Sequence, residues 1–234
     1  MGFYKRNLPH FQPEGHTYFI TTRLAGSIPK NIYDQIKMEY EKELEKLASD
    51  ENKKNRRENY SELQRNNFIK YEKILDSCKY GAKWLSDGRI ANIVKNVLHL
   101  KDNKLYDLIS YTIMPNHIHI ILKPLVERAS ARYLNNSTNK GGNLSSHNSK
   151  NVVLLKYPLT EIMRLLKGGT AFQANKILKR KGNFWQHESY DHVVRDEKEL
   201  LRIVKYILNN PVKAGLCKTH EEWEWNYYNS KYLI

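Results

Sequence analysis

The chain has only two cysteines in 234 residues, Cys78 and Cys217. They lack metal-type spacing, which argues against a disulfide framework or a cysteine-built zinc site. No apolar run approaches the ~20 residues that span a bilayer. The first ten residues lack the apolar core of a signal peptide. The expectation is a reduced, cytoplasmic chain with no membrane partner. No internal repeat is visible. Acidic side chains are also in deficit: 39 Lys plus Arg stand against 25 Asp plus Glu, a net charge of +14. The imbalance is local. Residues 31–85 carry twelve basic and eleven acidic side chains, whereas residues 156–182 carry seven and one. A cationic stretch of this kind fits a polyanion, and nucleic acid is the natural partner.

What is present reads as one domain over residues 1–234. Residues 17–24 have the β-branched and aromatic content of a strand. Residues 31–85 read as a helical insertion, with Ile32, Ile36, Tyr40, Leu44 and Leu47 at helical spacing and a polar break over residues 50–60. A helix is expected over residues 90–100, a strand pair over 105–122, and a basic helix from about Pro158. Gly168-Gly169 inside that helix costs about 2 kcal/mol of propensity relative to alanine, which suggests close backbone approach by DNA or by a strand of the sheet. Residues 133–151, which include His147, read as a flexible polar loop. Residues 184–194 look extended. Asp196 and Glu199 then open a helix as in a capping box, and Pro211 follows its end. The order fits an α+β fold, an antiparallel sheet with helices on one face.

Two positions carry candidate chemistry. In His117-Ile118-His119, strand alternation puts both imidazoles and Ile121 on one face. Such a pair can hold a metal ion; the triplet alone fits equally two histidines on the wet face of a half-buried strand. The second position is Tyr206. On the helical wheel Leu200, Leu201, Ile203, Val204, Ile207 and Leu208 form one apolar stripe, and Tyr206 lies about 150° from its centre. Arg202 and Asn210, four residues to either side, share its polar face. A phenol oxygen can attack a phosphodiester and conserve the bond energy as a phosphotyrosine. Asn210 offers a third, oxygen ligand, and the donor set suits Mg²⁺ or Mn²⁺. Tyr190, among His187, Glu188, Asp191 and His192, is the rival nucleophile, although alternation also places it on a packed face.

These segments resemble the single-tyrosine HUH transposases, in particular the REP-associated tyrosine transposases. The resemblance rests on His117-Ile118-His119 after Met114-Pro115-Asn116, on Phe184-Trp185-Gln186 followed by Tyr190 to Asp196, on Tyr206-Ile207 with Asn210 to Leu216, and more weakly on Tyr18 to Arg23. It implies a ferredoxin-like sheet with the histidines on a central strand, Tyr206 as nucleophile and Asn210 as third ligand. It further implies cleavage of single-stranded DNA at imperfect hairpins of repeated palindromes, leaving a 5′-phosphotyrosine and a free 3′-hydroxyl. Arg23, Arg164, Lys167, Lys176, Arg180, Arg195 and Arg202 are then the candidate DNA contacts. Relatives act as monomers or as homodimers that share sites. Two other readings remain open at this point: a non-catalytic hairpin-binding regulator or decayed transposase, and a nuclease in which water attacks and Tyr206 only packs.

Overall fold

The computed structural model describes residues 2–5, 9–49, 56–125 and 158–232. The loop expected over 133–151, with His147, lies outside the described residues. Five strands form one antiparallel sheet in the order β6-β3-β5-β4-β7. They are β3 (Thr17–Arg23), β4 (Tyr106–Ile113), β5 (His117–Pro124), β6 (Tyr190–Val194) and β7 (Asn226–Tyr228). A separate hairpin joins β1 (Gly2–Lys5) to β2 (Pro9–Gln12). Strand β5 is central, as the resemblance implied. The tight turn that leads into it is closed by Met114 N–H donating to the His117 carbonyl at 2.9 Å.

Helices cover both faces of the sheet. Against one face, Ile20, Ile118, Ile120 and Leu122 pack with Ile90, Val94 and Leu98 of α3 (Gly88–Lys101) and with Ile162 and Leu166 of α4 (Pro158–Ile177). This is the layer expected from the sequence. On the other face, Phe19, Ile109 and Ile121 pack with Ile203, Val204, Ile207 and Leu208 of α5 (Glu197–Leu208). The second layer exists because Ile121 and Phe19 give the histidine side of the sheet an apolar surface that must be covered. Helices α1 (Lys30–Ser49) and α2 (Arg56–Asp76) fill the segment after β3 and pair through the tilted rings of Tyr33 and Tyr71, 5.8 Å apart, and a Lys70–Glu39 ion pair. Phe68 carries α2 onto the edge of the second core, with its ring 6.3 Å from that of Phe19.

Helix α5 begins as the sequence indicated, with one change. The Asp196 carboxylate accepts from Glu199 N–H at 2.8 Å. Glu199 reaches back one residue further than a capping box requires, to Arg195 N–H at 2.9 Å. The helix stops at Leu208, and a short turn α6 (Asn210–Lys213) carries Pro211 in its first turn. Gly168 and Gly169 lie exposed on α4, and a Cβ at either position would meet no atom within 4 Å. Close approach by a neighbouring strand therefore does not explain them.

Candidate metal and tyrosine site

His117 and His119 are both fully buried, which removes the wet-face reading. Their rings lie 4.6 Å apart at the centroids, with the two Nε2 atoms 3.0 Å from each other. Each Nδ1 has a partner on the outer side. His117 Nδ1 lies 2.7 Å from Asn116 Oδ1, and Asn116 Nδ2 donates to the Leu75 carbonyl at 3.1 Å. That second bond orients the amide, so its oxygen accepts the Nδ1 proton and His117 Nε2 keeps a free lone pair. His119 Nδ1 meets Thr21 Oγ1 at 2.9 Å, because the β3–β5 register sets Thr21 opposite His119. Burial, and then the neighbouring His117, push His119 down to about 4. It is neutral at pH 7, the form in which imidazole binds metal.

The last turns of α2 bring two carboxylates to the Nε2 atoms. Glu72 and Asp76 are four apart and so share a helix face. Asp76 Oδ1 is 3.4 Å from His117 Nε2 and 3.6 Å from His119 Nε2, and Glu72 Oε2 is 3.4 Å from His119 Nε2. Tyr206, from α5, points its hydroxyl at the same pair, 2.9 Å from Glu72 Oε2 and 2.9 Å from Asp76 Oδ2. One phenol hydrogen serves one acceptor at a time, so two anionic groups compete for it. Burial, then Asp76, raise the Glu72 carboxyl well above its ordinary range. Burial also works to raise Asp76, but the two imidazoles hold it below. The Tyr206 phenol is driven far up by burial and then by the two carboxylates. Lys213 Nζ lies 4.9 Å from the centre of the Tyr206 ring.

The residues fit a divalent cation. Asp76, His117 and His119 offer one ligand atom each, all within 4.8 Å of one another. The buried oxygens Asp76 Oδ1 and Glu72 Oε1 make no hydrogen bond. Among the described residues neither carboxylate pairs with a lysine or arginine. Asn210, the third ligand expected from sequence, is fully buried, and both its amide atoms lack a hydrogen-bond partner among the described residues. Asp76, which the sequence did not single out, also meets the two imidazoles. Sequence reasoning missed Asp76 and Glu72. The available signal was spacing: Phe68, Glu72, Leu75 and Asp76 fall on one side of α2, so the acids sit beside apolar neighbours. Tyr190 stacks on Phe68 with ring centroids 3.4 Å apart, the packing role that its strand alternation allowed.

No family model matches the chain. A putative REP-associated tyrosine transposase of Haemophilus influenzae (strain ATCC 51907 / DSM 11121 / KW20 / Rd) is 23% identical over 125 residues, which are 53% of this chain and 60% of that protein. Over about half its length, this chain is similar to a REP-associated tyrosine transposase. An uncharacterized protein of the same organism is 29% identical over 102 residues, 44% of this chain and 52% of the relative. The matches thus span between half and two thirds of the curated relatives. A solved REP-associated tyrosine transposase bound to a REP hairpin aligns over 97% of this chain and 82% of its own, with a TM-score of 0.45 and 15% identity. Among the described residues, no helix is long and apolar enough to cross a membrane.

Most of the basic side chains singled out from the sequence are engaged within the fold. Arg195 and Arg202 both grip Glu199, at 3.0 and 3.1 Å, with 72% and 67% of their side chains exposed. His192 joins the same carboxylate at 3.2 Å. Arg202 therefore pairs with an acidic neighbour on its own helix. Arg164 pairs with Glu161, and Lys167 donates to the His187 carbonyl and to Ser189. Arg180 lies 3.9 Å over the Trp84 ring and bonds Asn175 and the Asn183 carbonyl. Arg23 is half-buried, bonded to Ser27, with Tyr33 5.6 Å away. Lys176 is exposed on α4.

Proposed function

We propose that this chain is a metal-dependent single-stranded DNA endonuclease and strand transferase, a transposase that acts at DNA hairpins. The Tyr206 oxygen attacks a backbone phosphorus. The phenol gives up its proton to the acidic pair that it faces; the bond from phosphorus to the 3′-oxygen breaks, its electron pair leaves with that oxygen, which takes up a proton, and a 5′-phosphotyrosine remains beside a free 3′-hydroxyl. Attack by a 3′-hydroxyl on the same phosphorus reverses the step and joins strands without ATP. His117 and His119 hold Mg²⁺ or Mn²⁺, with Asn210 the further ligand that the family resemblance implies. A bound divalent ion supplies Lewis-acid polarisation of the phosphoryl oxygens. The observation that carries this reading is the meeting of the Tyr206 hydroxyl and both imidazoles on one acidic pair within a single chain. That arrangement supports action in cis.

The hairpin substrate is what the family resemblance implies, and the basic stretch at 156–182 supports a polyanionic partner. The exposed guanidinium groups of Arg195 and Arg202, with Arg164, Lys167, Lys176, Arg180 and Arg23, are the candidate backbone contacts. Sequence-tolerant phosphate binding of this type weakens with salt. The test is incubation with Mn²⁺ and labelled single-stranded hairpins, followed by denaturing electrophoresis. Wild type should give a nicked strand and a covalent protein–DNA band. Tyr206→Phe should keep hairpin binding and lose both. Undiminished nicking by Tyr206→Phe would instead make water the nucleophile, and a wild type that binds but never cleaves would be a regulator.

A further inference from the structure

Helix α2 precedes the histidine strand by some forty residues in sequence. Its C-terminal end is nevertheless built into the site. The Leu75 carbonyl accepts from Asn116, the residue that orients His117, and Cys78 Sγ lies 3.4 Å from the oxygen of the same amide. Phe68, two turns earlier, is fixed between Tyr190 and Phe19. Between these anchors Glu72 and Asp76 have little freedom to turn away.

The electrostatics of the pair favour a cation. Glu72 is 4% exposed and its Oε1 has no partner, and Asp76 Oδ1 is likewise orphaned. A buried carboxylate beside a half-buried one repels it and both give up hydration, and a single phenol hydrogen cannot satisfy both. On the tautomer that Asn116 sets, His117 Nε2 faces them as an acceptor and not a donor. A divalent ion among Asp76, His117 and His119 resolves all of these contacts together.

We propose that α2 is a working part of the catalytic centre: Asp76 is the third protein ligand of the ion, and Glu72 holds the Tyr206 hydroxyl beside it. The proposal rests on the reading of Tyr206 as nucleophile for the role of Glu72, but not for the ligand role of Asp76.

The test is Mn²⁺ titration of the purified full chain, followed by electron paramagnetic resonance of the free ion, for wild type, Asp76→Asn, Glu72→Gln and Asn210→Ala, with covalent-adduct assays alongside. Asp76→Asn should weaken Mn²⁺ binding by at least about tenfold, as the loss of a metal-site partner does. Asn210→Ala should weaken it less. Glu72→Gln should slow adduct formation at saturating DNA while KM for the hairpin stays unchanged. A Mn²⁺-soaked crystal of wild type reads the ligand set even if Asp76→Asn does not fold: the anomalous peak should be bonded to an Asp76 oxygen. Wild-type affinity in Asp76→Asn, or a peak bonded to Asn210 and not to Asp76, overturns the role of α2 and leaves the transposase reading standing if wild type still forms the adduct. A chain that binds Mn²⁺ through Asp76 but forms no adduct on any hairpin sinks the transposase reading and the role of Glu72, and leaves the ligand assignment intact.

Discussion

Removing one oxygen atom from Tyr206 separates its structural role from its chemical one. In Tyr206→Phe the ring keeps its neighbours, with Phe19 at 6.3 Å and His119 at 5.8 Å between centroids. What is lost is the hydroxyl 2.9 Å from Glu72 and Asp76. A hydrogen bond to a charged acceptor contributes about 1.5–3 kcal/mol, and here its loss leaves another buried carboxylate oxygen without a donor. In a domain of this size each kcal/mol moves Tm by about 2–4 °C. In chelator, Tyr206→Phe should therefore melt about 3–12 °C below wild type. With saturating Mn²⁺ the gap should narrow, because the ion takes over neutralisation of the acids. Differential scanning calorimetry with and without Mn²⁺ reads both values, and the covalent-adduct assay reads the chemistry. Equal melting temperatures in chelator would refute the claim that the acids hold the hydroxyl. Adduct formation by the phenylalanine variant would refute its role as nucleophile.

His117→Ala or His119→Ala, or excess chelator on wild type, should abolish nicking in a gel assay; full activity in chelator would rule out metal assistance. Glu199→Gln removes the shared acceptor of Arg195, Arg202 and His192 and should cost about 1–3 kcal/mol in urea unfolding at pH 7. Burial works to raise the Glu199 carboxyl, but the Arg195 contacts and His192 hold it down to about 2, below its unfolded value. Its stabilisation is thus complete above the ordinary carboxylate range and is lost as pH falls towards 2. The gap between wild type and Glu199→Gln should close over that window in acid titrations, and a gap that instead closed towards alkaline pH would contradict the sign. Lys176→Ala should lower the slope of log affinity against log salt for hairpin binding by about one if Lys176 contacts phosphate; an unchanged slope in fluorescence anisotropy would remove it from the interface.

The features read from sequence were those with a short-range pattern. Strand alternation put His117, His119 and Ile121 on one face, and the second core has Ile121 there. The 3.6-residue stripe on α5 left Tyr206 off the core, and in the structure it is half-buried against α2. The start of α5 at Asp196 was legible because a cap is local. The features that escaped were tertiary. Strand β7 has three residues, too few for a period, and its place is set by bonds from Trp223 to the Ile113 carbonyl and from Asn226 to the Leu208 carbonyl. The β1–β2 hairpin was not anticipated either. Glu72 and Asp76 are two of eleven acids in a charge-balanced stretch, and only the packing of Phe68 and the bond from Asn116 to the Leu75 carbonyl turn them inward. The burial of the histidine face follows from the same event, because α2 and α5 close over a side of the sheet that a strand pattern alone leaves open to water.

The central claim is that the Tyr206 oxygen becomes bonded to DNA. Protein incubated with Mn²⁺ and a panel of single-stranded hairpins, digested with trypsin and nuclease, and analysed by tandem mass spectrometry tests it directly. The account predicts a 5′-phosphonucleotide on the peptide that contains Tyr206, absent in chelator. A modification mapped to Tyr190 or to any other residue, or nicked DNA with no modified peptide, would contradict it.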